Sequence, residues 1–431
     1  MTASRKKSTA PTQLTITTYQ VGFGDCFLLR FDYPAPGAAR HVLIDFGSTG
    51  MPPKAEADSL LLIARDIAKK CGGKLDAVVA THRHADHISG FATSKDKSGS
   101  GDVIRALKPD VVVQPWTEEP DLATNALGPA DEANASAQQA LTHMHAVSAK
   151  VVELIDRHPN AAPPALAERL RFVGIDNIAN QSAVMNLATM GKGCYVYYGS
   201  KSGLEEILPG MKIHVLGPPT LRQSNAIRKM TARDKEQYWH LQLGRVGGDS
   251  AAAAGAALFP GHVAAKGGKL PMSARWLADR VRANRGEQLM QLVTSLDNQM
   301  NNTSVILLFE SRAKKLLFPG DAQIENWQHA LAEPKYQAML ADVDLYKVGH
   351  HGSLNATPRS MWQAFSKKGD AKKKDRMTAL LSTMPGKHGH AEAHTEVPRA
   401  TLLKELQANT ALHSTHTLAA GVMYDQVVIA L

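Results

Sequence analysis

The chain has 431 residues, 44% of them hydrophobic, with 49 lysines and arginines against 40 acidic residues for a formal net charge of +9. That apolar share is ample for a sizeable core, yet no run approaches the roughly 18 apolar residues that a membrane span needs, so no membrane partner is expected. Three scattered cysteines, Cys26, Cys71 and Cys194, lack CxxC spacing, which argues against a disulfide framework and for a reducing, cytoplasmic setting.

Residues 1–13 are basic and polar with no apolar stretch behind them, and read as a flexible tail rather than a secretory signal. A single domain is expected over 14–431. It opens with "LTITTYQVG", which alternates at period two, followed by the short apolar runs "DCFLLRF" and "HVLIDFG". "ADSLLLIARDIAKKCGG" carries a helical stripe, with Asp58 as its N-cap and Gly72 as its stop. "LDAVVATH" is the next buried strand, and "DVIRALKPDVVVQPW" gives a short helix, a strand and a proline stop. From about 117 to 193 the text turns Ala-rich and helical, then strands return with "GCYVYYG" and "MKIHVLGPP". A second helical block runs from about 220 to 300. The Gly/Ala-rich stretch from Gly247 to Gly268 interrupts it and is expected to be a mobile loop. Strands resume with "TSVILLFE", "KKLLFPGDA" and "DVDLYKVGHHGS". The pattern is one α/β core with two helical insertions, which are expected to form a lid or a protein-partner surface.

Chemistry concentrates at the strand ends. "THRHADH" packs His82, His84, Asp86 and His87 directly behind the apolar run "LDAVVA". His82 and His84, two apart, project to one side of an extended segment, while Asp86 and His87 come from the turn after it. That arrangement suits two adjacent divalent ions, the first on His82 and His84 and the second on Asp86 and His87. Nitrogen and oxygen donors of this kind suit zinc first, and also manganese or iron. Four residues do not complete two sites. The further donors stand at two other strand ends: Asp321 after "LLFPG", where a carboxylate can bridge both ions, and His350 and His351 after "LYKVG".

"THRHADH" resembles the HxHxDH signature of the metallo-β-lactamase fold superfamily, and the other motifs follow in that family's order. The resemblance implies a four-layer αββα sandwich. It also implies Asp45 in "VLIDFG" as a carboxylate just beneath the metals, Asp321 as the bridging ligand and His350 as the last histidine ligand. More narrowly, "QVGFGDCFLL", "VLGPP", "NNTSVILLF", "LLFPGDA" and "YKVGHHGSLNATP" resemble the soluble hydrolase domain of the competence protein ComEC and its stand-alone relatives. These segments are scattered from about Tyr19 to Leu406. Where the superfamily usually places a third histidine, this chain reads "NNTS". Asn301 or Asn302 stands there, and the first ion is left with His82, His84 and Asp321 plus water or substrate.

His351 is expected to contact substrate or assist a leaving group, or else to hydrogen-bond behind the ligands. Ser353 and Asn355 can hold a phosphate oxygen or simply cap a turn. "MPGKHGHAEAHTEVP" offers Lys387, His388, His390 and His394, and the resemblance implies that a histidine of this loop, taken as His390, reaches the substrate. His143, His145 and His158 read as surface or packing residues, and Asp25 in "GFGDCF" as a structural turn residue. The expected function is dinuclear-metal hydrolysis. The two ions lower the pKa of a shared water, Asp321 holds the bridge and Asp86 orients the attacking oxygen. The competence-type motifs and the basic balance point to a phosphodiester substrate, in particular nucleic acid. Two other classes stay open: a small-molecule hydrolase (phosphoester, cyclic nucleotide or lactone) and a metal-bound partner-binding module.

Overall fold

The strands read as apolar runs because both faces of each sheet are covered. The computed structural model describes residues 10–35, 38–119, 181–224, 301–353, 357–388 and 396–431. Most of both expected helical insertions lies outside those residues, as do the Gly247–Gly268 stretch, His143, His145, His158, Asn355, His390 and His394.

Thirteen strands form two sheets among the described residues. The first contains β1 (Gln13–Tyr19), β2 (Cys26–Asp32), β3 (Ala39–Phe46), β4 (Ala77–Val79), β5 (Val111–Pro115) and β6 (Lys192–Val196). The second contains β7 (Lys212–Gly217), β8 (Ile306–Glu310), β9 (Lys315–Phe318), β10 (Leu345–Lys347), β11 (Thr378–Leu381) and β12 (Ala411–Ser414). The last strand, β13 (Tyr424–Ala430), returns to the first sheet and pairs with β1, giving the order β13-β1-β2-β3-β4-β5-β6. The second sheet runs β12-β11-β10-β9-β8-β7. Each sheet has an antiparallel part and a parallel part, the latter being β3 to β6 in one and β9 to β12 in the other.

The inner faces of the sheets meet in one core. Phe27, Leu29, Phe31, Val42, Ile44 and Val79 pack against Val215, Leu307, Phe309, Leu316 and Phe318. Period-two alternation sends the neighbouring residues outward, so Leu307 and Phe309 of β8 face inward while Ile306 and Leu308 meet the outer helices. The outer face of the first sheet is covered by α1 (Ser59–Lys70), α3 (Ser100–Ala106) and α4 (Gln181–Thr189), with α2 (Ala85–Ile88) a single turn between the first two. That of the second carries α5 (Ile324–Leu331), α6 (Pro334–Ala341), α7 (Arg359–Ala364) and α8 (Ala400–Asn409). The result is the four-layer αββα sandwich of the metallo-β-lactamase fold.

Helix α1 follows from its sequence: Ile63, Ala64 and Ile67 make the buried stripe, and Lys69 and Lys70 stand at the negative end of the helix dipole. Asp58 occupies the N-cap position but makes no side-chain capping hydrogen bond. Among the described residues no helix is long and apolar enough to cross a membrane. What matters for chemistry is the parallel part of each sheet. The segments leaving β3, β4, β9, β10 and β11 all emerge at the same end of the sandwich, as ligand-binding loops of parallel sheets do.

Candidate metal centre

The loop that leaves β4 is pinned by Asp45, near the end of β3. Thr81 donates twice to that carboxylate, from its backbone N–H to Oδ1 and from its hydroxyl to Oδ2, both at 2.7 Å. His87 Nδ1 lies 2.8 Å from the same Oδ2, so an Nδ1–H donates to Asp45 and leaves Nε2 as the free donor atom. Asp45 adopts a left-handed φ of 55°, and His350 and His351 do the same at 42° and 51°. Non-glycine residues avoid that region, and three of them meeting at one site mark backbone strain held where function needs it.

Two glycines allow the close approach behind the loop. A Cβ on Gly24 would run into the carbonyl of Gly47, and one on Gly47 would sit 2.5 Å from the backbone carbon of Asp86. Without those methyl groups the β1–β2 turn, the end of β3 and the metal loop interlock, and Asp25 N–H donates to Asp86 O at 2.9 Å.

The donor atoms fall into two groups that share Asp86. His82, His84 and Asp86 form the first, and Asp86, His87, Asp321 and His351 the second; within each group the candidate atoms lie within 4.8 Å of one another. His82 Nε2 is 2.9 Å from His84 Nδ1, His87 Nε2 is 3.0 Å from Asp321 Oδ2, and His351 Nε2 is 2.8 Å from Asp86 Oδ2. All six residues are buried. The expected loop donors and Asp321 therefore converge, although they come from opposite sheets.

The structure places the two adjacent histidines differently. His351, not His350, enters the donor group: its Nδ1–H donates to Ser382 O at 3.1 Å, which aims Nε2 at Asp86. The imidazole of His350 belongs to neither group, and this residue contributes its backbone N–H, 2.9 Å from Asp321 Oδ1. The reason lies in the backbone. Strand β10 stops at Lys347, and a 3-10 turn over His350–Gly352 curls back, so alternation along an extended strand no longer decides which ring points inward.

Asp25 was expected to be structural, and Lys347 carried no role. Both are buried beneath the centre. The Lys347 ammonium forms an ion pair with Asp25 and lies 3.3 Å from Asp321 Oδ1, while Asp25 oxygens stand 3.7 Å from His87 Nδ1 and from His351 Nδ1. The available signal was a charged residue inside otherwise apolar strand text, "GDCFLL" and "LYKVG".

The electrostatics fit divalent cations. Asp25, Asp45, Asp86 and Asp321 bring four buried carboxylates, and Lys347 returns a single fixed positive charge. Burial opposes charge on His87, but Asp321, Asp86 and Asp45 outweigh it and raise its pKa well above the usual range. His351 is raised in the same way, with Asp321 the strongest neighbour. Burial, reinforced by His87 and His84, drives His82 far down and keeps it neutral, the form in which an imidazole can take a metal. For Lys347 burial is outweighed by Asp25 and Asp321, which hold it charged. A divalent cation satisfies such carboxylates without burying imidazolium protons.

Of the residues expected at the substrate, Asn301 is fully buried, with no hydrogen-bond partner among the described residues for either side-chain polar atom. Its segment lies along the metal loop, because Val305 N–H donates to Thr81 O at 2.9 Å. Ser353 closes the histidine turn with its N–H on His350 O. His388 packs its ring 4.0 Å from that of Phe23, which in turn lies 4.3 Å from His351, so the start of the 387–394 loop reaches the rim. Burial, and then His351, push the His388 pKa down to about 3.

A family model described as the metallo-beta-lactamase superfamily matches residues 19–122. That span holds Asp25, Asp45 and the whole Thr81–His87 loop, while Asp321, Lys347, His350 and His351 lie beyond it. A search of the curated proteins returned no match. The layer order, the matched span and the buried His/Asp groups are those of a metal-dependent hydrolase with the metallo-beta-lactamase fold.

Proposed function

We propose that this chain hydrolyses phosphodiester bonds with two divalent ions, zinc first among the candidates and manganese or iron next. One observation carries the two-ion reading: two donor groups share Asp86, and the second of them is closed from the opposite sheet by Asp321 and His351. Two such ions, when bound, lower the pKa of a water and neutralise charge on the non-bridging oxygens of a phosphodiester. The remaining work belongs to the chain. Asp45 and Ser382 set the tautomers of His87 and His351, and Asp86 and Asp321 orient what lies between the groups. His351, with Nε2 on Asp86, is a ligand rather than the acid for the leaving group, which falls to solvent or to an imidazole at the rim.

The substrate class rests on three supports: the ComEC-like motifs, the net charge of +9, and Asn301, unpaired among the described residues where an imidazole is usual. An amide there offers both a donor and an acceptor to a phosphate ester. The test is metal analysis of the purified protein followed by a panel of single- and double-stranded DNA, RNA and bis-p-nitrophenyl phosphate, with zinc or manganese. Asp321→Asn should retain the fold and lose on the order of a hundredfold in rate. Turnover of a lactone, thioester or small phosphoester with no cleavage of any polynucleotide would remove the nuclease reading and leave the metal hydrolase.

A further inference from the structure

Lys347 is the last residue of β10, and only 2% of it is exposed. Its Nζ pairs with Asp25, lies 3.1 Å from the Gly320 carbonyl oxygen, and reaches Asp321 Oδ1 at 3.3 Å. Asp25, Asp45 and His87 form a third acidic group in the same volume. The ammonium of Lys347 already stands at Asp25, where a third cation would be drawn.

The consequence falls on Asp321. Its Oδ1 accepts from Lys347 Nζ and from the His350 N–H at 2.9 Å, while Oδ2 faces His87 at 3.0 Å and His351 at 3.6 Å. A carboxylate free to turn can chelate one cation with both oxygens. With one oxygen engaged from behind, it presents a single atom, Oδ2, to the group that holds His87 and His351. The geometry points to Lys347, backed by Asp25, as a positioning residue that makes Asp321 a single-oxygen ligand. This rests on the two-ion reading above and is independent of the substrate.

The test uses the full chain, stripped of metal and titrated with manganese(II) alone. Equilibrium dialysis counts the ions, and electron paramagnetic resonance follows the exchange between them. Lys347→Met should bind its first ion as the unaltered protein does, bind the second about tenfold or more weakly, and lose the exchange signal. Loss of a positive charge by itself predicts the opposite, a tighter second ion. The double variant Asp25→Asn/Lys347→Met removes both partners of the buried pair, a change that a merely structural pair tolerates. It should stay as weak for the second ion as Lys347→Met, because Asp321 Oδ1 keeps only the His350 N–H and still lacks the ammonium. An unchanged or tighter second ion in Lys347→Met, or recovery in the double variant, overturns the proposal. So does failure of both variants to fold under saturating manganese, which would make the pair structural. If the two-ion reading itself is wrong, that shows separately, as a single ion bound by the unaltered protein.

Discussion

Asp45→Asn isolates the role of the carboxylate beneath the centre. Asp45 accepts three hydrogen bonds, two from Thr81 and one from His87 Nδ1. Asparagine tolerates a φ of 55° at least as well as aspartate, so the backbone adds no penalty of its own. Its oxygen can still serve Thr81 N–H, and the Thr81 hydroxyl can turn to accept from the new amide. His87 cannot adapt so easily: facing an NH2, Nδ1 must accept, and the proton moves to Nε2, the atom aimed at Asp321. Losing a partner of this kind weakens metal binding by about 10- to 100-fold, or roughly 1.4–2.7 kcal/mol. The loss should fall on the group containing His87 and spare His82 and His84. Ion counting during a zinc titration, with thermal unfolding as the control for folding, reads the effect. A variant that binds both ions as the unaltered protein does, or that loses the His82/His84 ion first, would refute the reasoning.

Gly47→Ala places a methyl group 2.5 Å from the backbone of Asp86, and should cost about 1–3 kcal/mol in thermal stability together with metal content. A variant with both intact would show that the interlock is loose. His351→Ala should reduce bound metal while His350→Ala leaves most of it, measured by metal analysis of the two variants side by side; equal losses would contradict the reassigned ligand. In chelated protein, His87 and His351 have raised folded pKa values. Their stabilisation is therefore complete below the unfolded value of about 6.5 and is lost as pH rises through the folded values. Asp86 and Asp321, which are depressed, stay ionised across that window. The midpoint of the chelated protein should therefore fall from about pH 7 to 9, above the range where the lowered His82 and His388 act in the opposite sense, whereas metal-loaded protein should gain stability from pH 5 to 7, because ligation requires neutral imidazole. Parallel slopes with and without metal would sink this assignment.

Much of the centre is local and therefore readable without a fold. His82, His84, Asp86 and His87 lie within one loop, and an apolar strand followed by that spacing leaves them few places to go. Asp321 was readable because a glycine and a carboxylate end a strand whose own residues are apolar. His351 was not. The alternation rule assumes that the strand continues, and two successive left-handed residues break it there. The role of Asp25 was hidden for a different reason: its partner Lys347 comes from the other sheet, near the opposite end of the chain.

The amino-acid order by itself determined the strand and helix texture, the pairing of one core-facing and one helix-facing apolar set in strands such as β8, and the donor-rich loop after β4. These depend on neighbours two to six residues apart, where periodicity and turn chemistry act directly. Tertiary structure alone decided which histidine of the pair turns inward, which carboxylates lie beneath the donor groups, and which oxygen of Asp321 lies against His87 and His351. Those outcomes depend on close approach between the two sheets, at Gly24, Gly47 and Lys347, where excluded volume and buried charge act between residues far apart along the chain.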